Sequence, residues 1–417
     1  MTDLLSLLPP GSDVDGGVLR ISGCRVDDLA REFGTPAIVV AEPALRARAR
    51  EYREEAAKRW PRARVVFASK SFPATAVQRV MVEEGLGLDV AGGGELRSAV
   101  KAGIDPALLV LHGNAKSTDE IEYAVQAGAG LVVVDNADDV DRLEAAVPLG
   151  STQGVLVRVV PGIESSTHPH VATGQIGSKF GLTPPAAKAL IERIERSPRL
   201  SMQGVHAHVG SQILDPSELA AAVEPLAAMG QFPVYDLGGG LGARYTYDEH
   251  PPAVADYLDA LLGAARAHLP AEAEIIIEPG RSMVNAAAAT LYTVTTVKRD
   301  ARNFVAVDGG MGDNLEVALF GQRYEAALAA RMDEEPAEDA VIVGRHCESG
   351  DVLIDGIRLP AAKVGDLLVV PATGAYTHTM ANNYNGYRRP PVVFANEGQA
   401  RAVVRRETWE DLFARDV

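Results

Sequence analysis

Eight short apolar runs, separated by segments with helical periodicity, constrain the fold of this 417-residue chain more than any other feature. The runs are rich in Val, Ile and Leu, which is typical of strands buried on both faces of a parallel sheet. Eight such strands within about 250 residues predict a closed (β/α)8 barrel. The runs are RVVFA (64–68), LGLDV (86–90), LLVLHG (108–113), GLVVVD (130–135), VLVRVV (155–160), QGVHAHV (203–209), PVYDLGG (233–239) and EIIIEPG (274–280).

A second region with a different pattern begins near residue 285. Segments such as LYTVTTVKRD and DLLVVPATGAY have the composition of strands, and few helical segments lie between them. This pattern predicts a mostly β domain, either a sandwich or a small barrel. Because chain termini often lie close together, residues 1–35, with the strand-like GGVLRISG, are expected to join it. We therefore predict an α/β protein with a TIM barrel over residues 36–285 and a β domain over residues 1–35 and 286–417.

Charge and cysteine content exclude several classes of protein. The formal net charge of −16 leaves no surplus of cations to neutralise a nucleic acid backbone. Two distant cysteines, Cys24 and Cys347, argue against a disulfide framework and favour a reducing compartment. The N-terminus lacks the features of a signal peptide, and no apolar run is long enough to span a bilayer. We expect a soluble cytoplasmic protein that binds neither nucleic acid nor membrane.

Polar residues follow nearly every strand of the predicted barrel. Lys70 follows the first strand, Asp89 ends the second, and Glu278 lies at the end of the eighth. Barrels of this type build their active sites at the carboxyl ends of the strands. We therefore expect these side chains to lie around one common site.

Lys70, in the segment FASK, is the candidate for covalent chemistry. Burying a lysine amine is costly unless the amine is paired or neutral. A desolvated lysine with a lowered pKa is the form that Schiff-base chemistry requires. The alternative is a lysine whose ammonium group simply reaches solvent at the mouth of the barrel.

Two glycine-containing turns, GSQ (210–212) and GGGLG (238–242), follow consecutive strands. Glycine allows backbone N–H groups to approach a phosphate closely, and a helix N-terminus adds a favourable potential. Tight turns alone would use the same residues. The occurrence of two such turns at neighbouring strand ends favours a phosphate site.

Glu278, in EPGR (278–281), and His208 are candidates for contact with an aromatic cofactor. A carboxylate that faces a pyridine nitrogen keeps this nitrogen protonated and makes the ring an electron sink. The alternatives are a salt bridge between Glu278 and a neighbouring arginine, and a hydrogen-bonded core histidine at position 208.

In the predicted β domain, the segment HCESGD (346–351) places a thiol beside two carboxylates. Cys347 is therefore a candidate proton donor, although a single cysteine is more often a small buried apolar residue. The histidines lack metal-ligand spacing and no cysteine cluster accompanies them, so we predict no metal.

Together these segments resemble the fold-type III pyridoxal phosphate (PLP) decarboxylases, specifically the diaminopimelate decarboxylases. The resemblance covers about residues 20–415, and the segments occur in that family's order. It implies an alanine racemase-like barrel, a PLP cofactor and a carboxy-lyase that acts on an amino acid, in lysine biosynthesis. The segments are FASK, GLDVAGGGEL, LHGNAKS, THPHVATGQIGSKFGL, HAHVGSQ, DLGGGLG, EPGR, DGGM, HCESGD, and GAY followed by MANNYNG.

The resemblance also implies roles for individual residues. Lys70 would form the Schiff base with PLP, His208 would stack on the ring, and Glu278 would meet the pyridine nitrogen. In the family's homodimer, Cys347 comes from the partner subunit and protonates the carbanion, and Glu348 faces the far end of the substrate. Other residues expected to bind the cofactor are Asp89, Ser211, Gly239, Gly240, Gly280, Arg281 and Tyr376.

One segment departs from the family pattern. The relatives carry DNxRPxLYG, whose arginine helps to bind the distal carboxylate of diaminopimelate, whereas this chain carries DNLEVALFG (313–321). Glu316 replaces the arginine and Phe320 replaces the tyrosine. An anion opposite a carboxylate turns a charge-assisted hydrogen bond, worth about 1.5–3 kcal/mol, into repulsion. Arg281 and Arg323 remain as cations; the residues expected to contact the substrate are Arg281, Glu316, Phe320, Glu348 and Tyr376.

The identity of the substrate therefore stays open. The chain either decarboxylates meso-diaminopimelate with a rearranged pocket, or decarboxylates an amino acid or natural-product intermediate whose far end is cationic or donates hydrogen bonds. A third interpretation is that Glu316 points to solvent and changes nothing. A racemase on the same barrel and a catalytically silent PLP-binding homologue are rival functions. HCESGD argues against the racemase, and the joint presence of Lys70, Glu278 and Cys347 argues against the silent homologue.

Overall fold

The computed structural model describes residues 5–163, 173–175 and 177–417. The strands, numbered in chain order, are β1 (Asp13–Asp15), β2 (Val18–Ile21), β3 (Cys24–Arg25), β4 (Ala37–Ala41), β5 (Ala63–Ala68), β6 (Gly87–Val90), β7 (Leu109–Leu111), β8 (Leu131–Val134), β9 (Gln153–Arg158), β10 (Leu200–His206), β11 (Val234–Asp236), β12 (Glu274–Ile277), β13 (Ala288–Arg299), β14 (Asn303–Val307), β15 (Ala327–Leu328), β16 (Glu338–Val343), β17 (Val352–Leu359), β18 (Leu367–Pro371), β19 (Val392–Asn396) and β20 (Gln399–Val404). The α-helices are α1 (Val26–Phe33), α2 (Glu42–Arg59), α3 (Thr75–Glu83), α4 (Gly93–Lys101), α5 (Thr118–Ala127), α6 (Ala137–Ala146), α7 (Pro184–Glu195), α8 (Pro216–Ala220), α9 (Val223–Ala227), α10 (Val254–His268), α11 (Arg281–Val284), α12 (Glu316–Phe320), α13 (Thr377–Met380) and α14 (Trp409–Phe413). None of these helices has the length and apolar character that crossing a membrane requires.

Strands β5 to β12 close into a barrel in which neighbouring strands are parallel. The ring closes where β12 pairs with β5, for example Ile276 with Arg64. Branched apolar side chains from several strands, among them Val66, Val133 and Leu156, form a buried cluster. Each of the eight apolar runs overlaps one barrel strand. The predicted TIM barrel is confirmed.

The barrel topology gathers the predicted site residues at one end. Because all eight strands are parallel, their carboxyl ends lie on the same side of the barrel. Lys70 lies in a short turn after β5, His208 follows β10 and Glu278 follows β12. These residues are far apart in sequence, and the closed ring of strands brings them to one region.

A second sheet contains most of the C-terminal strands. Its strand order is β17-β16-β14-β13-β4-β19-β20, and the long strand β13 also pairs with β18. Buried apolar residues such as Leu291, Val369 and Val393 form a core on this sheet. A further cluster includes Val305 and Ile342. The predicted C-terminal β domain is thereby confirmed as part of the fold class.

Three segments, 36–47, 243–250 and 282–285, lie in the β unit although the predicted boundaries assigned them to the barrel. Strand β4, with the sequence AIVVA, pairs with β13 and β19. It is completely buried, and a continuous apolar run suits either sheet equally well. The chain forms two compact units: a barrel unit within Arg48–Gly242 and Pro251–Arg281, and a β unit within Met1–Ala47, Ala243–His250 and Ser282–Val417.

Candidate active site

Lys70 lies at the carboxyl end of the first barrel strand. It sits in the turn Ser69–Ser71, and its Nζ atom lies 3.4 Å from Oδ2 of Asp89. Asp89 is fully buried, whereas 39% of the Lys70 side chain is exposed. The sequence left open a desolvated amine and an amine that reaches solvent; in the structure the side chain is partly exposed, and a buried carboxylate pairs with it.

Glu278 lies at the end of β12 and is buried. Its Oε1 atom lies 2.6 Å from Nε2 of His112, and its Oε2 atom lies 3.4 Å from Nε2 of His206. Burial alone would raise the pKa of Glu278, but the two histidines outweigh burial and hold this pKa well below its ordinary value. Glu278 is therefore an ionised carboxylate between two histidine rings, where the sequence suggested an arginine as the alternative partner.

Two groups beside Glu278, His206 and Asp236, are held neutral. Burial lowers the pKa of His206 to about 3. Burial and the negative charge of Glu278 raise the pKa of Asp236 well above its ordinary value. A neutral imidazole and a protonated carboxyl group can lie beside an ionised carboxylate without adding buried charge. Within this group of three side chains, Glu278 carries the charge.

His112, His206 and Glu278 also have the composition of a metal site, because ligand atoms from the three lie within 4.8 Å of one another. An ion bound at about 2.0–2.2 Å to two such atoms would keep those atoms roughly 3 Å or more apart. The 2.6 Å separation between His112 and Glu278 is instead a hydrogen-bonding distance. We interpret the cluster as a close contact between the Glu278 carboxylate and the His112 ring, and the absence of a metal stays a prediction.

His208 is fixed by the turn that follows the neighbouring strand. Its Nδ1 atom accepts a hydrogen bond from the backbone N–H of Gly239 at 3.2 Å. Part of the side chain is accessible, but burial of the ring and the cations Lys70 and Arg158 hold the pKa of His208 well below its ordinary value. The ring is therefore neutral at pH 7, with its orientation set by the glycine turn.

The turns after β10, β11 and β12 approach one another closely. A Cβ atom on Gly239 would overlap the carbonyl oxygen of Glu278, and one on Gly240 would lie 2.7 Å from the carbonyl oxygen of Gly210. Gly240 also has a φ of +128°, which side-chain-bearing residues rarely adopt. Backbone packing therefore requires both glycines. Their predicted contact with a phosphate stays a prediction.

Ser211 and Arg281 lie together at the same end of the barrel. The Nε–H of Arg281 donates a hydrogen bond to Oγ of Ser211 at 3.1 Å, and Arg281 is buried. Gly280 packs nearby, where an added Cβ atom would lie 2.9 Å from Cβ of Ala68. A hydroxyl group and a guanidinium group in contact are suitable donors for a phosphate.

These barrel residues fit PLP by their chemistry. An amine reachable from solvent suits its aldehyde, and an ionised buried carboxylate suits its pyridine nitrogen. A neutral histidine suits the face of its ring, and a serine–arginine pair suits its phosphate. The set offers one partner for each functional part of the cofactor.

In the β unit, Cys347 and Glu348 lie at the exposed tip of the loop between β16 and β17. The Cys347 thiol is free, and its backbone N–H donates to Oδ1 of Asn385 at 2.9 Å. The carboxylate of Glu348 accepts a hydrogen bond from the hydroxyl of Tyr384. The alternative interpretation of Cys347 as a small buried apolar residue is therefore wrong.

Glu316 begins helix α12 and is only 1% exposed. Its Oε2 atom accepts hydrogen bonds from the hydroxyl groups of Tyr324 at 3.1 Å and Tyr245 at 3.5 Å. The two tyrosine rings pack edge to face, with centroids 5.2 Å apart. The interpretation that Glu316 points to solvent is therefore wrong, because both phenols hold it inside the β unit.

The remaining predicted residues of the β unit are more accessible. Phe320 ends α12 and Tyr376 precedes α13; both are partly exposed. Arg323, considered as a remaining cation for the substrate, forms an ion pair with Asp248 at 2.7 Å. This pairing reduces its availability for a substrate carboxylate.

His206, Asp236 and Arg158 have no chemical role predicted from the sequence alone. The sequence could have indicated His206 as a site residue, because residues two apart in a strand point to the same face and His208 was already a candidate. Arg158 is buried, with its guanidinium 4.4 Å from the ring centroid of Phe180. Asp236 needed the fold, since only the ring of strands brings it beside Glu278. The first residues of the predicted segment THPHVATGQIGSKFGL (167–182), and Ile176 within it, lie outside the described residues.

The chain is similar in both sequence and structure to known decarboxylases. The family described as "Pyridoxal-dependent decarboxylase, pyridoxal binding domain" matches residues 45–285. A diaminopimelate decarboxylase from Bacillus subtilis is 41% identical, with 96% of this chain and 95% of that protein covered. One from Actinosynnema pretiosum is 42% identical, with 99% and 95% covered.

A solved structure supports the same relationship. Diaminopimelate decarboxylase from M. jannaschii, in complex with L-lysine, superposes with a TM-score of 0.90 at 29% identity and covers 98% of both chains. The barrel and the β unit thus agree with the sequence comparisons. The chain belongs to the PLP-dependent decarboxylases, in the diaminopimelate decarboxylase family.

Proposed function

We propose that this PLP-dependent decarboxylase releases CO2 from meso-diaminopimelate at the barrel end that carries Lys70 and Glu278. The observation that carries this proposal is the ionised Glu278 carboxylate, buried between His112 and His206. The substrate assignment is supported by relatives named diaminopimelate decarboxylase that are 38–42% identical over nearly the whole chain.

Bound PLP supplies an electron sink for the electron pair that remains when CO2 leaves. Glu278 would hold a proton on a ring nitrogen placed against it, because a buried anion favours a cation beside it. Lys70 would hold the cofactor covalently until a substrate amine replaces it. Arg281 with Ser211 would bind the phosphate, and His208 would set the position of the ring.

Cys347 would donate the proton that returns to Cα after CO2 has left. Its support is an exposed free thiol at a loop tip beside Glu348. By similarity to the family, Cys347 of the partner subunit would serve each site, so the chain would act as a homodimer. The low cysteine content fits action in the cytoplasm.

A second candidate substrate is an amino acid whose far end is cationic or donates hydrogen bonds. Glu316 favours it: the carboxylate is buried and fixed by Tyr245 and Tyr324, at a position where relatives carry an arginine. A buried carboxylate attracts an ammonium group and repels a carboxylate. Glu316 and Glu348 together would suit such a substrate.

A screen of CO2 release tests the proposal. The substrates are meso-diaminopimelate, D- and L-lysine, ornithine, arginine and glutamate, and chiral analysis of the products separates decarboxylation from racemisation. Release from meso-diaminopimelate alone supports the first assignment, and release from a basic amino acid alone supports the second. Colourless protein that stays colourless with added PLP would contradict both.

Variants of Glu316 test whether this residue selects the substrate. Glu316→Gln keeps a hydrogen-bond acceptor for the tyrosines and removes the charge, whereas Glu316→Arg restores the residue type of the relatives. If Glu316 disfavours a distal carboxylate, both variants raise kcat/KM for meso-diaminopimelate relative to lysine. An unchanged ratio in folded Glu316→Gln would contradict a role in selection.

A further inference from the structure

The loop tip that carries Cys347 and Glu348 is anchored by a buried aspartate. Asp351 is 3% exposed, whereas the four residues before it in the loop are exposed. Its Oδ2 atom accepts a hydrogen bond from the backbone N–H of His346 at 2.7 Å and lies 2.9 Å from Nδ1 of the same histidine. Its Oδ1 atom accepts from the backbone N–H of Met311 at 2.6 Å.

Hydrogen bonds made by the backbone and the side chain of Asp351 connect the two ends of the loop. The backbone N–H of Asp351 donates to the carbonyl oxygen of Glu348 at 3.2 Å, and the side chain of Asp351 reaches back to His346. The six residues 346–351 therefore close on themselves. The loop tip with its exposed thiol and carboxylate is therefore fixed by hydrogen bonds between buried residues at the two ends of the loop.

The space around the carboxylate is closed by glycines. A Cβ atom on Gly310 would lie 2.5 Å from both carboxylate oxygens of Asp351, and one on Gly344 would overlap the same group. A Cβ atom on Gly312 would overlap the ring of His346. Side chains at these three positions would displace the anchor, so the segment DGGMG and the segment HCESGD are fitted to each other.

The anchor also joins the loop to the segment that leads to Glu316. Met311 belongs to the loop 309–314, which continues into helix α12. A third segment closes the cluster: the N–H of Asn382 donates to the carbonyl oxygen of Gly312 at 2.9 Å, and Asn385 accepts from the N–H of Cys347. His346 stacks on Tyr384 with an interplanar angle of 3°.

We propose that Asp351 and His346 are positioning residues for the reaction, which fix the loop tip so that Cys347 delivers its proton from one defined place. This inference rests on the proposed role of Cys347. A carboxylate offers only acceptor atoms, so we assign Nδ1 of His346 as the donor in this pair. Neither residue needs to touch the substrate, because both act through the backbone of the loop.

Asp351→Asn tests the anchor, with Asp339→Asn as the matched control on an exposed aspartate of the same unit. The amide cannot accept all the hydrogen bonds that the carboxylate accepts, so we expect kcat to fall at least about tenfold, with a smaller change in KM. The control keeps the wild-type kcat. Wild-type kcat in a folded Asp351→Asn enzyme would overturn the proposal.

Two substitutions of His346 separate hydrogen bonding from packing. Asn places an amide N–H near the position of Nδ1, so His346→Asn keeps a donor to Asp351 and is expected to keep kcat within about threefold. His346→Ala removes the donor and is expected to lose about tenfold or more. Equal losses in both variants would show that ring packing, and not the bond to Asp351, supports the loop, and would overturn the assignment.

Hydrogen exchange measured by mass spectrometry tests the anchor without activity. In Asp351→Asn, amides in peptides 344–351 and 309–314 are expected to exchange at least about tenfold faster than in wild type, with other regions unchanged. Unchanged exchange would overturn the anchor itself. If wild type releases no CO2 from any amino acid, the proposed function fails while this measurement still decides the anchor.

A double-mutant cycle shows whether Asp351 acts through Cys347. In a Cys347→Ala background, Asp351→Asn is expected to lower kcat by less than about threefold further, because the residue it positions is already gone. A full additional tenfold loss would mean that Asp351 acts by another route, and would overturn the positioning role.

Discussion

The barrel unit and the β unit place their reactive side chains in opposite environments. In the barrel, Glu278 is buried, and its charge is sustained by His112 and His206. In the β unit, Cys347 and Glu348 are exposed, whereas Asp351 and His346, which anchor them, are buried. The difference suggests two ways to preorganise chemistry: by fixing an electrostatic environment, or by fixing a backbone and leaving the reactive groups accessible.

The largest effect is expected from Lys70→Ala, which removes the only amine proposed to hold the cofactor covalently. We expect no turnover above background and loss of the visible absorbance of the PLP-loaded protein, measured by spectroscopy and a CO2 assay. Lys101→Ala, at an exposed position at the end of α4, serves as the control and keeps both signals. Wild-type turnover in Lys70→Ala would remove the barrel end from consideration as the active site.

Glu278→Gln is expected to give the second-largest effect. Removing the buried anion lowers the tendency of a ring nitrogen to stay protonated, so kcat/KM should fall on the order of 10²-fold. Glu274→Gln is the matched control, because Glu274 begins β12, the strand that Glu278 follows, and forms an ion pair with Arg64 at 2.7 Å. A similar kcat/KM in both variants would mean that burial gives Glu278 no special role.

Much of the barrel was predictable from sequence because burial on both faces leaves a continuous apolar run. Such a run says little about which sheet it joins, so AIVVA, now β4, was assigned to the barrel. The period of two residues in a strand could have revealed His206 beside His208. The partners of Glu278 were not predictable, since Asp236 and His112 come from other strands and meet it only in the closed ring.

The β unit was harder to predict at the level of side chains. The motif HCESGD identified Cys347, but not the burial of Asp351, because only the neighbouring glycines make room for its carboxylate. The burial of Glu316 depends on Tyr245, from a segment assigned to the barrel. Loop contacts of this kind depend on chain segments that no local periodicity connects.

His206 provides a pH-dependent test of the buried cluster. The pKa of His206 is lowered from 6.5 to about 3, so below pH 6.5 the unfolded chain binds a proton that the folded chain does not. Its contribution to the free energy of unfolding therefore decreases as the pH falls, by up to about 1.4 kcal/mol per pH unit. Asp236, whose pKa is raised, has the opposite effect on the free energy of unfolding as the pH falls. The negative charge of Glu278 acts on both His206 and Asp236.

The difference in the free energy of unfolding between wild type and His206→Gln isolates the contribution of this histidine. As the pH falls from 6.5 to 5, the variant should gain stability relative to wild type, as measured by denaturant unfolding. His268→Gln, at an exposed position, should show a constant difference from wild type. A pH-independent difference for His206→Gln would mean that the pKa of His206 is the same in the folded and unfolded protein.

Glu348→Gln should have the smallest effect on stability and completes the comparison with Glu278→Gln. Glu348 is exposed and bonded to the hydroxyl of Tyr384, so losing its charge should cost no more than about 1 kcal/mol. The same change at Glu278 leaves buried partners poorly paired and should cost about 1–3 kcal/mol. Tyr384→Phe removes the other half of the exposed bond and should match Glu348→Gln in thermal unfolding. If Glu348→Gln instead destabilised the protein as much as Glu278→Gln, the tip would be a structural element of the β unit, and the separation between a fixed anchor and an accessible reactive tip would not hold.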